Sequence, residues 1–342
     1  MSRARSAWTP RRLGVVLMSY GSPTGPADMP RYLAAVRGGR PAAPDVVAEF
    51  TRRYERIGGS PLIPITRAQA AGLEERLRGN GLDVSVTVGM RFSEPTIGQA
   101  LRELAALGCD EVVGIVMSPQ YSQLLMRGYR EALSAAGPDA GLDPEFVGVA
   151  PAWYQLPSFI DAVAERIASG FDDLPRELRN RAPVLLTAHS LPRSVAEREP
   201  GYLDQLRVTA ELVATAAGLE EGRWRFCWQS AGHEPGAWMT PDFKDVLPEL
   251  HRAGHRAVLV APIQFLADHL EVLYDIDIGA REQAEAVGMA FARIESLNVM
   301  PRFIDALAEV VAISRPSARL PRSTIPAAGR DGRPLRAAPR QP

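Results

Sequence analysis

At 342 residues, the chain is too long for one small core and predicts two domains of roughly 150 residues each. It is 46% hydrophobic and 23% charged, which is ordinary for a globular protein, and its formal net charge of −1 gives no general attraction to nucleic acid. No apolar run reaches the length of about eighteen residues that a membrane-spanning helix needs.

The near-neutral total hides an asymmetry. Residues 314–342 carry seven Arg and one Asp, a net of +6, which leaves about −7 for the rest. Positive charge is almost entirely Arg, with Lys244 the single lysine. The two cysteines, Cys109 and Cys227, are far apart and fit neither a metal-binding spacing nor a disulfide framework, so a reducing cytoplasm is expected. The basic opening MSRARSAWTPRR lacks the apolar stretch of a secretory signal.

In chain order, apolar runs predict strands at 14–18, 84–88, 111–117, 145–149, 184–187, 224–228, 257–261 and 289–293. Amphipathic segments such as 65–79 and 201–218 lie between them. Continuous apolar strands separated by helices predict parallel sheets covered on both faces. With four strands in each half, this gives two doubly wound α/β domains and a linker near 151–157. No G-x-G-x-x-G follows the first strand and no Walker A pattern occurs, so nucleotide binding has no motif behind it. IGGSPL at 57–62 follows a helical segment and reads equally as a helix stop and turn. The tail from Ser314 is rich in Pro and Arg and has no hydrophobic period, the pattern of a disordered segment.

Ligands of such folds bind beyond the carboxyl ends of strands, which makes the residues just after each run the candidates. Tyr20 follows the first strand, SPQYS (118–122) the third, His189 the fifth and QSAGHEP (229–235) the sixth. After the seventh, Asp268, Glu271 and Asp275 are spaced three and four apart, so on an α-helix they stack on one face. His269, two residues from Glu271, would then point elsewhere. A solvated helix face explains three like charges as readily as a site does, but this face opens at a strand end. A His and a Glu from neighbouring strand ends form an acid–base or metal pair, and imidazole with carboxylate suits Fe, Co or Zn. Two ligands leave coordination positions open, which fits a metal in transit.

VLMSYGSP (16–23), RYERIGGSPL (53–62), SPQYS, TAHSLP (187–192), WQSAG (228–232), DHLEVLYDID (268–277) and PRFIDAL (301–307) together resemble the ferrochelatases, in particular the soluble coproporphyrin type of Gram-positive, actinobacterial lineages. The resemblance runs in order over residues 13–313. It implies a class II chelatase fold: two similar Rossmann-like domains, 13–153 and 154–299, with a porphyrin cleft between them, helix 300–313 packing back on the first, and 314–342 as a tail. It implies a cytoplasmic lyase of haem biosynthesis, a monomer that inserts Fe2+ into coproporphyrin III with loss of two pyrrole protons and makes transient contacts with neighbouring pathway enzymes.

On this resemblance His189 and Glu271 are catalytic and, with Asp268 and Asp275, hold the metal in passage, while Tyr20, Arg37, Arg53, Ser60 and Tyr129 bind the porphyrin. Gly279 stands where relatives often carry a further acid. Relatives with a [2Fe–2S] cluster use cysteine ligands, four thiolates being usual, so no cluster and no tightly bound cofactor are expected. A protoporphyrin IX enzyme or a cobalt–sirohydrochlorin chelatase is the alternative within the fold. A porphyrin carrier without turnover is the alternative outside catalysis, although a carrier needs only one axial ligand.

Overall fold

The computed structural model describes residues 11–232 and 237–315; the tail expected from 314 therefore lies outside the described residues from 316 onward. All eight expected strands form: β1 (Leu13–Ser19), β2 (Val84–Met90), β3 (Glu111–Val116), β4 (Val147–Val149), β5 (Val184–His189), β6 (Trp224–Gln229), β7 (Ala257–Pro262) and β8 (Ala290–Arg293). They make two parallel sheets of the same topology, ordered β2-β1-β3-β4 and β6-β5-β7-β8. β4 is shorter than its apolar run because Asp143 accepts a hydrogen bond from the Glu145 amide and starts a 3-10 turn at Pro144–Phe146.

The covering helices are α1 (Met29–Val36), α2 (Pro44–Arg56), α3 (Leu62–Gly79), α4 (Ile97–Ala106), α5 (Gln123–Asp139), α6 (Pro157–Gly170), α7 (Arg193–Ala196), α8 (Pro200–Ala216), α9 (Phe243–Arg252), α10 (Arg281–Ala286) and α11 (Pro301–Ser314). A π-helix, Glu271–Ala280, runs directly into α10. The two central strands are buried along almost their whole length, which is why their sequences read as unbroken apolar runs rather than alternating ones.

One apolar cluster joins the halves. It contains Leu13, Val15 and Leu17 of β1, Leu73 and Leu77 of α3, Phe159 and Ile160 of α6, Val184 and Leu186 of β5, and Phe303, Leu307 and Val310 of α11. Helix α11 thus packs against α3 and α6 together. Its end corrects one sequence expectation: Ser314 is helical, and Arg315 Nη2 lies 3.1 Å from a carboxylate oxygen of Glu111, which is fully buried. The described chain therefore reaches two residues, Ser314 and Arg315, into the segment read as a tail, and the contact gives the buried carboxylate the cation it needs.

Candidate active site

The carboxyl ends of β1 and β5 carry the central residues. His189 is the last residue of β5. Its Nδ1 lies against the Ser190 carbonyl, which can only accept, so Nδ1 carries the proton and Nε2 is directed outward. That Nε2 sits 3.4 Å from Glu271 Oε1. The other carboxylate oxygen of Glu271, Oε2, is 3.5 Å from His269 Nε2, and the His269 Nδ1 is tied to the Ala267 carbonyl at 2.9 Å. Glu271 therefore stands between two imidazoles in the same tautomeric arrangement.

The electrostatics follow from that sandwich. Burial pulls the His189 imidazole down, but the charge and hydrogen bond of Glu271 outweigh it and push the group up to about 9. Burial raises Glu271, and the two imidazoles together hold it well below the usual carboxylate range.

Two corrections to the sequence reading come from one cause, the late start of the helix that carries Glu271. Its i→i+5 bonds widen the turn, and it begins only at Glu271. His269 precedes it and folds back onto Glu271 instead of pointing away. Asp268 also precedes it and leaves the acidic ladder: its carboxylate accepts from Ser296 Oγ at 2.7 Å and Asn298 Nδ2 at 2.9 Å and lies 3.4 Å from Arg293 Nη2. Asp275, inside the π-helix, stays on the Glu271 side. Burial and the charge of Glu271 push its carboxyl up, opposed by a hydrogen bond from Ser230 and by Arg53. Ser230 holds a left-handed backbone, φ 57°, a conformation costly for a non-glycine residue and concentrated at functional sites. Among the described residues no three His, Cys, Asp or Glu side chains form a pre-built metal cage.

The opposite wall comes from the first half. Tyr20 follows β1 and is 43% exposed, with its ring edge-on to Phe92 at 4.6 Å. Burial and the charge of Glu271 push its phenol up to about 12, with Arg91 pulling the other way, so Tyr20 faces Glu271 as a neutral phenol. Arg53 on α2 is paired with Glu49 at 2.7 Å and reaches to 3.9 Å from Asp275; Arg56 on the same helix pairs with Glu282 of α10 at 2.8 Å. Arg37 caps the end of α1, and Ser60 Oγ accepts from the Leu62 amide ahead of α3. Tyr129 is 7% exposed within the core of the first half, with the Arg91 guanidinium 5.4 Å over its ring. It packs in that cluster with Val16 and Met18 of β1 and Val112 and Val116 of β3.

Arg91 is a candidate site residue that sequence reasoning did not single out. It follows β2 directly, and its guanidinium lies over Phe92 at 4.7 Å. It also rests on Gly128, where a Cβ would stand 2.6 Å from its Nε. No ion pair to it occurs among the described residues, so it is a half-buried cation beside Tyr20 without a carboxylate. The strand-end rule that singled out Tyr20 and His189 points equally to position 91.

Solved structures of similar fold are chelatases. A sirohydrochlorin chelatase from Bacillus subtilis subspecies spizizenii in complex with cobalt superposes at a TM-score of 0.52, with 13% identity, over 88% of this chain and 94% of that one. The ferrochelatase family model matches residues 12–314. A ferrochelatase of Deinococcus radiodurans is 38% identical, covering 87% of this chain and 95% of that protein. A coproporphyrin III ferrochelatase of Bacillus subtilis is 36% identical, covering 88% and 97%, and one of Geobacillus kaustophilus is 37% identical, covering 87% and 94%. The fold is thus that of the tetrapyrrole chelatases. Within that class the chain belongs to the ferrochelatase family, and it is an enzyme of metal insertion.

Proposed function

We propose that this protein inserts Fe2+ into coproporphyrin III and releases two pyrrole protons, as a step of haem biosynthesis. The observation that carries the reading is the His189–Glu271 pair, facing Tyr20 from the opposite wall. A macrocycle placed between Tyr20 and His189 has the imidazole Nε2 on one face of its nitrogens. With Nδ1–H held by the Ser190 carbonyl, the neutral ring offers its lone pair at Nε2 and takes a pyrrole proton there. Glu271 stabilises the imidazolium that results, and His269 lies against its far oxygen. Asp275, held by Ser230 and Arg53, is the carboxylate nearest this pair on the π-helix and the site from which Fe2+ reaches it. Asp268, bonded to Ser296, Asn298 and Arg293, supports the helix start.

Coproporphyrin carries four carboxylates, and Arg forks suit them. Arg37, Arg53 and Ser60 are the expected anchors, and Arg91 adds an unpaired cation at the Tyr20 end of the wall, with Tyr129 beneath it. Two relatives named for coproporphyrin III over nearly their whole length support the same substrate. The buried thiols Cys109 and Cys227 lie in separate core clusters, which supports a reducing, cytoplasmic location and an enzyme without a cysteine-held cluster. No described helix is long and apolar enough to cross a membrane.

The test is anaerobic steady-state metal insertion with coproporphyrin III and protoporphyrin IX. The expected result is multiple turnovers with at least tenfold higher kcat/KM for coproporphyrin, since each donor left unpaired against a vinyl group costs about 1–3 kcal/mol. Equal or better kcat/KM with protoporphyrin IX overturns the substrate assignment, and binding without turnover overturns catalysis.

A further inference from the structure

His189 sits where its sheet has ended on one side. Pairing of β5 with β7 stops at Thr187 opposite Pro262, and the last backbone bond across that edge runs from the Ile263 amide to the Thr187 carbonyl at 3.0 Å. In a parallel sheet alternate residues bond to alternate neighbours. Ser190 donates to Gln229 on the β6 side at 2.7 Å, so the His189 N–H faces the β7 side, one step beyond the end of β7.

The side chain of Gln264 takes the place of the missing strand. Its Oε1 accepts from the His189 amide at 2.8 Å. A backbone N–H can only donate, which fixes the orientation of the amide group and turns Nε2 toward the hydroxyl of Tyr202, to which it donates. Tyr202 is 2% exposed on α8. The glutamine thus spans from a buried anchor to the backbone of His189. Because the imidazole Nδ1 is tied to the carbonyl of the very next residue, any displacement of this backbone moves Nε2 relative to Glu271.

We propose that Gln264 is a positioning residue of metal insertion, a strut from α8 that holds the His189 imidazole against Glu271. The inference rests on His189 as the proton acceptor. Misplacement of a reacting group by about 1 Å costs on the order of 100-fold in rate, and a strand end without its acceptor has freedom of that size.

The experiment compares Gln264→Met, Tyr202→Phe, the double variant and His189→Ala in the full-length enzyme. Gln264→Met is expected to lower kcat tenfold or more with KM for coproporphyrin III and for Fe2+ each within twofold, and to speed amide hydrogen exchange in the segment containing His189 tenfold or more. Tyr202→Phe is expected to give the same kcat signature more weakly, and the double variant no further loss, because both lesions break one strut. A kcat within twofold of wild type in Gln264→Met, with His189→Ala inactive, overturns the strut. A rise of both KM values together with a lower melting temperature overturns it too, because that pattern belongs to general loosening of the fold. Near-wild-type turnover by His189→Ala removes the proton acceptor itself, a failure read in its own arm.

Discussion

Replacing Glu271 by Gln separates the two contributions of the carboxylate, because it removes the charge and keeps the shape. In the wild-type protein His189 is pushed up to about 9, and only the neutral imidazole can take a pyrrole proton. For the free enzyme, kcat/KM with coproporphyrin should therefore rise about tenfold per pH unit below that value and level off above it. At pH 7, two units below, about 1% of the enzyme is in the competent form. In Glu271→Gln the burial that pulls the imidazole down remains and the charge that outweighs it is gone, so the limb should fall to the ordinary histidine value of about 6.5 or lower. The plateau should also drop, by about 100-fold, as proton transfer loses the stabilised imidazolium. The two effects cross. The variant is flat between pH 7 and 9 while wild type climbs, so the deficit is small at pH 7 and widest near pH 9. Anaerobic loss of porphyrin fluorescence from pH 6 to 9.5 reads both quantities. A limb at the same pH in both enzymes would refute the reasoning, since the base would then be neither His189 nor a partner of Glu271.

Other outcomes follow from the same geometry. His189→Ala should abolish insertion while coproporphyrin still binds, measured by absorbance titration; retained turnover removes it from the mechanism. The raised folded value of His189 means that its linked stability is present below about 6.5 and is lost as pH rises towards about 9; the melting temperature of wild type should therefore fall across this window more than that of His189→Gln, and parallel curves count against the pairing. Arg91→Ala should raise KM for coproporphyrin about tenfold, the loss of one charge-assisted hydrogen bond, and should hardly change protoporphyrin kinetics; equal damage to both shows that Arg91 does not read carboxylates. Ending the chain at Ser314 rather than Arg315 should lower the melting temperature by a few degrees, as one cation is removed from a buried carboxylate at a cost of about 1–3 kcal/mol; identical melting curves show the contact to be dispensable.

The eight strands were legible because each is a short apolar run, most continuous in β1, β3, β5 and β7, which are buried along almost their whole length, and the parallel arrangement followed from the helices between them. His189 was legible for a related reason, since a polar side chain at the end of such a run has no place in the core, and Glu271 through its spacing from Asp268 and Asp275 after the seventh run. The local geometry around them was not. The sequence pattern does not say where the helix starts, and because Asp268 and His269 lie ahead of it, His269 joins Glu271 and Asp268 leaves it. Tyr129 was named through the family resemblance alone, and its burial in the core of the first half was not legible in the sequence. Arg91 was hidden by its dependence on a glycine 37 positions later, and Gln264 by a role that exists only where two strands end out of step.

The apolar cluster that runs from β1 through α3, α11 and α6 to β5 changes what kind of machine the cleft belongs to. Two domains joined by a bare linker close on a ligand like a hinge, and the ligand keeps its own shape while the protein yields. Here the walls that carry Tyr20 and His189 grow from one continuous packed interior, and packed interiors have low compressibility. The softer partner in the encounter is the flat macrocycle. On the proposed function, a porphyrin entering between such walls would bend to fit them, and bending turns its nitrogen lone pairs out of the ring plane toward an incoming metal. The energy for that distortion comes from contacts at the rim of the macrocycle, far from the nitrogens, so a core residue such as Leu307, remote from both substrates, is part of the apparatus that strains one of them.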